Sequence, residues 1–115
     1  MSNIVIYHNP KCSKSRQTLE LLKSKGVEPE VVEYLKNPLN EFELKSILQK
    51  LGGDGKQLVR VKEEVFKETK PSIDSHEEIV KVLAKFPKLM ERPLVVSAER
   101  AVLGRPPENV LELLS

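Results

Sequence analysis

The chain has 115 residues, a length that fits one domain and leaves little room for a second. Hydrophobic residues make up 39% and charged residues 31% of the chain, the balance of a soluble globular protein. The formal net charge of +2 is too small to predict a nucleic-acid or membrane partner. No apolar run approaches the roughly 18 residues that span a bilayer, and no export signal precedes the first predicted strand. We therefore expect a cytoplasmic protein.

The first part of the chain predicts a parallel strand–helix–strand unit. Residues 3–7 are short, apolar and β-branched, which is typical of a buried strand, and Pro10 ends that segment. A helical pattern starts at Ser13 and stops at Gly26, and residues 30–34 form a second strand candidate. This order implies a right-handed crossover between parallel strands.

The middle of the chain predicts helices. Asn40 with Glu43 and Ser75 with Glu78 both have the spacing of a capping box in front of an amphipathic pattern. Apolar residues then recur at helical spacing, at positions 44, 47, 48 and 51 in the first segment and 79, 83 and 86 in the second. We therefore expect a helical insertion at about residues 40–90.

The last part predicts a hairpin and a final helix. Residues 93–97 and 100–103 are apolar strand candidates separated by so few residues that an antiparallel connection is expected. A helix over residues 108–114 follows, with Pro107 suited to its first position. The order β-α-β, helical insertion, β-β-α predicts one thioredoxin-like α/β domain over residues 1–115, with a small mixed four-stranded sheet and flanking helices.

Cys12 is the only cysteine, so no disulfide can form within the chain and a reducing compartment is expected. A lone cysteine is often only a small core residue. This one lies between the first strand and the first helix, where free N–H groups and the positive end of the helix dipole stabilise a thiolate. Lys11, Lys14 and Arg16 add positive charge. Cys12 is therefore predicted to be an activated nucleophile.

The residues after Cys12 limit its chemistry. Residue 15 is serine, so the Cys-x-x-Cys pair of a dithiol enzyme is absent and a second thiol must come from another molecule. Ser15 could donate a hydrogen bond to the thiolate or to a bound oxyanion, or could serve only in helix capping. Residue 18 is threonine, which excludes the Cys-x5-Arg loop of low-molecular-weight phosphatases.

Residues 6–16, IYHNPKCSKSR, resemble the active-site signature of the glutaredoxin-dependent arsenate reductases, whose wider family includes Spx-type transcriptional regulators. Residues 58–60, 92–95 and 104–107 also match the family pattern, so the resemblance covers essentially the whole chain.

The resemblance implies that Cys12 is the nucleophile and that Arg60, Arg92 and Arg105 converge on it. Arginine is always charged and presents a planar fork of donors that fits an oxyanion. In thioredoxin-like folds a cis proline before the third strand faces the active cysteine, and Pro93 has that placement, although the position would also permit a trans proline that merely starts the strand. A single arginine in a chain with 31% charged residues is usually a solvated surface residue, and Arg16 and Arg100 are expected to be of this kind.

The implied reaction is the reduction of arsenate without a metal or a bound cofactor. The Cys12 thiolate attacks arsenic and displaces an oxygen, glutathione then acts as co-substrate and leaves a mixed species on Cys12, and glutaredoxin reduces that species. His8 and Asn9 flank the site. His8 could supply charge, move a proton, or simply pack at the end of the strand.

Two other functions are compatible with these residues. One is an Spx-like regulator that binds RNA polymerase, although Ser15 argues against its Cys-x-x-Cys switch. The other is a monothiol glutaredoxin-like reductase of mixed disulfides. Longer arsenate reductases carry a tail beyond the last predicted helix. The resemblance therefore supports the reaction class more directly than it supports arsenate as the substrate. We expect a monomer.

Overall fold

The computed structural model describes residues 4–114, so Asn3 of the first predicted strand lies outside the described residues. Within that range the strands and α-helices are, in chain order, β1 (Val5–His8), α1 (Ser13–Ser24), β2 (Glu30–Glu33), α2 (Glu41–Leu51), α3 (Glu64–Thr69), α4 (His76–Lys85), β3 (Leu94–Val96) and β4 (Ala101–Leu103). Short 3-10 helices cover Gly55–Leu58, Pro87–Leu89 and Pro107–Leu114.

The four strands form one sheet in the order β2-β1-β3-β4. Strands β1 and β2 are parallel, with Val5 opposite Glu30, whereas β1 pairs with β3 and β3 pairs with β4 in antiparallel fashion. The predicted crossover unit, the hairpin and the mixed thioredoxin-like sheet are therefore confirmed. All three residues of β3 are buried, as expected for a central strand that is covered on both faces.

The described chain divides into two compact units. One consists of the residues up to Asn37 together with those from Arg92 onwards, and it contains the whole sheet. The other is Pro38–Glu91, which holds α2, α3 and α4. The division of the chain into a single domain with an insertion at about residues 40–90 stays a prediction.

The core of the sheet-containing unit is aliphatic. It is formed by five buried side chains from β1, β3, α1 and the two chain ends: Ile4, Ile6, Leu22, Val95 and Val110. Helix α1 stops where Gly26 takes a positive φ of 80°, which favours glycine. The last helix was predicted as an α-helix over residues 108–114. It is instead a 3-10 helix that begins at Pro107, a geometry common in short terminal helices.

The second unit begins at the predicted capping box. The Glu43 N–H donates to Asn40 Oδ1 at 2.8 Å, and the Asn40 N–H donates to Glu43 Oε1 at 3.0 Å. At α4 the Glu78 N–H donates to Ser75 Oγ at 3.2 Å, but the Glu78 carboxylate accepts from the N–H of Asp74, one residue earlier than predicted. Across residues 4–114, no helix has the length and apolar character needed to cross a membrane.

Candidate active site

Cys12 is the residue that caps the amino end of α1. Its backbone is extended (φ −94°, ψ 123°), and its carbonyl accepts the first helical hydrogen bond from the Arg16 N–H at 3.0 Å. Asn9 shapes the preceding turn, because its carbonyl accepts from the Cys12 N–H and its side chain accepts from the Lys11 N–H, each at 3.0 Å. The half-buried thiol therefore lies where the carboxyl end of β1 meets the first turn of α1.

Opposing effects act on the acidity of this thiol. Burial by itself would raise the pKa of Cys12, because it disfavours the charged thiolate. The N–H of Ser15, the guanidinium of Arg92 and the N–H of Lys14 act in the other direction and together outweigh burial. The net result is a pKa for Cys12 below the ordinary value of a cysteine, as expected at a helix amino terminus.

We predict that the alkylation rate of Cys12 rises with pH about a midpoint below the roughly 8.5 of a free thiol. Because the thiolate is the reacting form, a lowered pKa moves the midpoint to lower pH and raises the fraction of reactive thiolate at any pH below it. Stopped-flow alkylation across a pH series measures this. Cys12 is the only cysteine, so the urea-unfolded chain provides a matched reference. A native midpoint equal to the unfolded one would contradict the prediction.

Two of the three predicted arginines lie at the cysteine. Nη1 of Arg105 is 4.0 Å from Cys12 Sγ and also donates to the carbonyl of Arg92 at 3.1 Å. The predicted cis bond before Pro93 is confirmed, and a second cis bond, before Pro106, was not predicted. Each arginine thus precedes a cis proline at one end of the β3–β4 hairpin.

Arg92 carries an unpaired donor at this place. Its Nε is buried and has no hydrogen-bond partner among the described residues. A buried donor without an acceptor costs about 1–3 kcal/mol, so groups of this kind are uncommon outside functional sites. Arg92 therefore offers an unused hydrogen-bond donor and a positive charge near the sulfur, and both favour the binding of an anion.

Ser15 and His8 form a hydrogen-bonded pair that joins the first turn of α1 to the end of β1. The Ser15 side chain is fully buried, and its hydroxyl lies 2.6 Å from His8 Nδ1 and accepts from the Asn9 N–H at 3.1 Å. Burial is the main cause that lowers the pKa of His8, although Glu33 offsets part of the effect. The lowered pKa favours the uncharged form of His8, and the part that His8 plays in the site stays a prediction. The binding of an oxyanion by the Ser15 hydroxyl stays a prediction.

Arg60 belongs to the other compact unit, Pro38–Glu91. There its guanidinium forms ion pairs with Glu63 at 2.6 Å and with Glu91 at 3.5 Å. Its predicted approach to Cys12 stays a prediction.

The two arginines that were expected to be surface residues have local partners. Arg100 pairs with Glu112 at 2.9 Å, and Arg16 donates to the Pro10 carbonyl at 2.9 Å. No group of three His, Cys, Asp or Glu side chains that could hold a metal ion occurs in residues 4–114.

The comparisons with known proteins agree with this fold. The model of the ArsC family matches residues 7–113. The chain is 49% identical over 114 residues to the uncharacterized protein YfgD of Escherichia coli K12, covering 96% of each. It is 44% identical to an arsenate reductase of Haemophilus influenzae, covering 97% of this chain and 99% of the relative.

A solved structure is similar along nearly the same length. The arsenate reductase from Vibrio cholerae superimposes with a TM-score of 0.90 at 46% identity, covering 96% of this chain and 97% of that one. The residues matched by the family model include the cysteine loop and the two arginine–proline pairs. The chain therefore belongs to the ArsC family.

Proposed function

We propose that this protein is an arsenate reductase in which Cys12 is the nucleophile. The observation that carries the proposal is the position of a thiol with a lowered pKa at the amino end of α1, with the guanidinium of Arg105 4.0 Å from its sulfur. A thiolate beside cationic forks is suited to attack a tetrahedral oxyanion and to hold its remaining oxygens. The relatives named arsenate reductase support arsenate as that oxyanion.

The proposed reaction transfers two electrons from thiols to arsenic. The Cys12 thiolate forms a sulfur–arsenic bond and displaces one oxygen, which leaves as hydroxide and becomes water. A donor thiolate then attacks the Cys12 sulfur. The sulfur–arsenic bond breaks with its electron pair on arsenic, arsenite leaves as As(III), and Cys12 remains in a mixed disulfide. A second donor thiol releases Cys12, so that one arsenate and two thiols give arsenite, one disulfide and water.

The donor thiols must come from other molecules, because the chain has only one cysteine. We propose glutathione as the first donor and glutaredoxin as the protein that reduces the mixed disulfide. Ser15 supports this assignment, since a second cysteine at that position would have supplied an internal donor. A reaction of this kind requires a reducing compartment, which favours the cytoplasm as its location.

The test is a coupled assay in which NADPH consumption follows arsenate addition. With glutathione, glutaredoxin and glutathione reductase present, we expect arsenate-dependent consumption and formation of arsenite. A second arm replaces glutathione and glutaredoxin with thioredoxin and its reductase, and we expect little turnover there. Turnover in the second arm alone would refute the proposed donor but keep the reaction. No arsenite in either arm would refute the proposed function and favour the regulator or the mixed-disulfide reductase.

A further inference from the structure

A threonine of α1 is in contact with the glycine that directly follows β4. Thr18 is fully buried, and its hydroxyl donates to the Lys14 carbonyl at 2.8 Å, one turn back along the helix. The same hydroxyl lies 3.3 Å from the carbonyl of Gly104, 86 residues further along the chain. The Gly104 N–H donates to the Pro93 carbonyl at 2.9 Å. Gly104 is thus bonded to α1 on one side and to the start of β3 on the other.

The space at Gly104 admits no side chain. A Cβ built there would lie 2.6 Å from Thr18 Oγ1 and 2.9 Å from Pro93 Cγ, both well inside normal contact distances. The backbone of Gly104 is not in the left-handed region, so glycine is needed here for close approach and not for its conformational freedom. Any larger residue must move β4 away from α1 or from Pro93.

The arginines of the site are chain neighbours of Gly104 and Pro93. Arg105 directly follows Gly104, and Arg92 directly precedes Pro93. The Arg105 guanidinium spans the two segments, since its Nη1 reaches both the Arg92 carbonyl and the cysteine sulfur. The helix that carries the cysteine at its amino end therefore also sets, through Thr18, the position of the segments that carry the guanidinium groups.

We propose that Thr18 and Gly104 are positioning residues that hold Arg92 and Arg105 over Cys12. The inference rests on the proposed function in that it assigns the two guanidinium groups to the thiolate and its oxyanion. Neither Thr18 nor Gly104 has to touch the substrate. A displacement of about 1 Å in a positioned group can lower a rate about 100-fold, so a rigid support of this kind matters for catalysis.

The main test is Gly104→Ala, alone and combined with Thr18→Ala. In the single variant we expect the pKa of Cys12 to rise and the arsenate KM to increase about tenfold, because both guanidinium groups move from the sulfur. The second substitution removes the Thr18 atoms at 2.6 and 3.0 Å from the added Cβ. We expect it to bring the pKa of Cys12 and the arsenate KM part of the way back to their wild-type values.

More conservative substitutions, with a matched control, separate the contact between Thr18 and Gly104 from the hydrogen bond that Thr18 makes within α1. Thr18→Ser keeps the hydroxyl and should retain the wild-type pKa of Cys12, whereas the nearly isosteric Thr18→Val should raise it. Thr69→Val is the matched control, because the exposed Thr69 makes the same kind of bond to the carbonyl four residues earlier, that of Val65, at 2.6 Å. It should change neither the pKa nor the KM.

Titrating Cys12 by alkylation requires no arsenate, so it separates this inference from the proposed function. A folded Gly104→Ala protein with the wild-type pKa and KM would overturn the positioning role. If Gly104→Ala does not fold, equal pKa values of Cys12 in Thr18→Val and Thr18→Ser would overturn it instead. If the wild type does not reduce arsenate but the pKa changes as expected, the positioning role stands and the proposed substrate is wrong.

Discussion

Replacing Cys12 with serine is expected to abolish arsenate reduction, with a loss of at least about 1,000-fold in kcat. A serine hydroxyl remains protonated at neutral pH, and it cannot form the sulfur–arsenic bond or the mixed disulfide through which the two electrons pass. No other cysteine in the chain can take over. The measurement is arsenite formation in the glutathione and glutaredoxin assay, with wild type and variant at equal concentration.

The control must show that the loss of activity comes from the missing thiol and not from a disturbed fold. Cys12 caps α1 with its backbone and makes no side-chain capping bond, so Cys12→Ser should leave the helix and the thermal midpoint nearly unchanged. Ser13→Ala alters the exposed neighbouring residue and should keep full turnover. Arsenite production by Cys12→Ser at a rate near that of the wild type would exclude Cys12 as the nucleophile.

The order of strands and helices was predictable because the strand segments are short and apolar and the helices between them have clear start and stop signals. Pro10 and Gly26 delimit α1, and the reciprocal bonds of Asn40 and Glu43 begin α2 where the spacing predicts. The terminal helix was only partly predictable. A proline at the first helical position and a short apolar pattern suit an α-helix and a 3-10 helix equally well, and the difference depends on packing.

The site was predictable at Cys12 but not around it. The strand-to-helix position of the thiol follows from local sequence, and so does the part of its lowered pKa that comes from the N–H groups of Ser15 and Lys14. The approach of Arg92 and Arg105 joins segments far apart in the chain, and no local pattern distinguishes them from Arg100, which pairs with Glu112. The family resemblance supplied that choice. Thr18 and Gly104 were missed because their importance lies in a contact across 86 residues. The only local signal was a glycine immediately before the arginine–proline pair.

Changing Arg92 or Arg105 to lysine is expected to weaken arsenate reduction although the positive charge is kept. Lysine is a point charge and lacks the planar fork that can bind two oxygens of a tetrahedral anion. We expect kcat/KM for arsenate to fall about tenfold in each lysine variant and about 100-fold in each alanine variant. Steady-state kinetics in the glutathione and glutaredoxin assay, with arsenate varied, provides these values.

The matched control is Arg100→Lys, on the same hairpin but paired with Glu112 at 2.9 Å. It should leave kcat/KM unchanged, since an exposed ion pair of this kind contributes only about 0–1 kcal/mol to stability and lies outside the site. The pKa of Cys12 distinguishes the effect of the positive charge at Arg92 from the effect of the planar guanidinium fork. Alanine at Arg92 removes a charge that lowers this pKa and should raise it, whereas lysine should raise it less. If arsenate kinetics were the same in wild type and in both alanine variants, the guanidinium groups would have no part in oxyanion binding, and a mixed-disulfide reductase would explain the reactive thiol better.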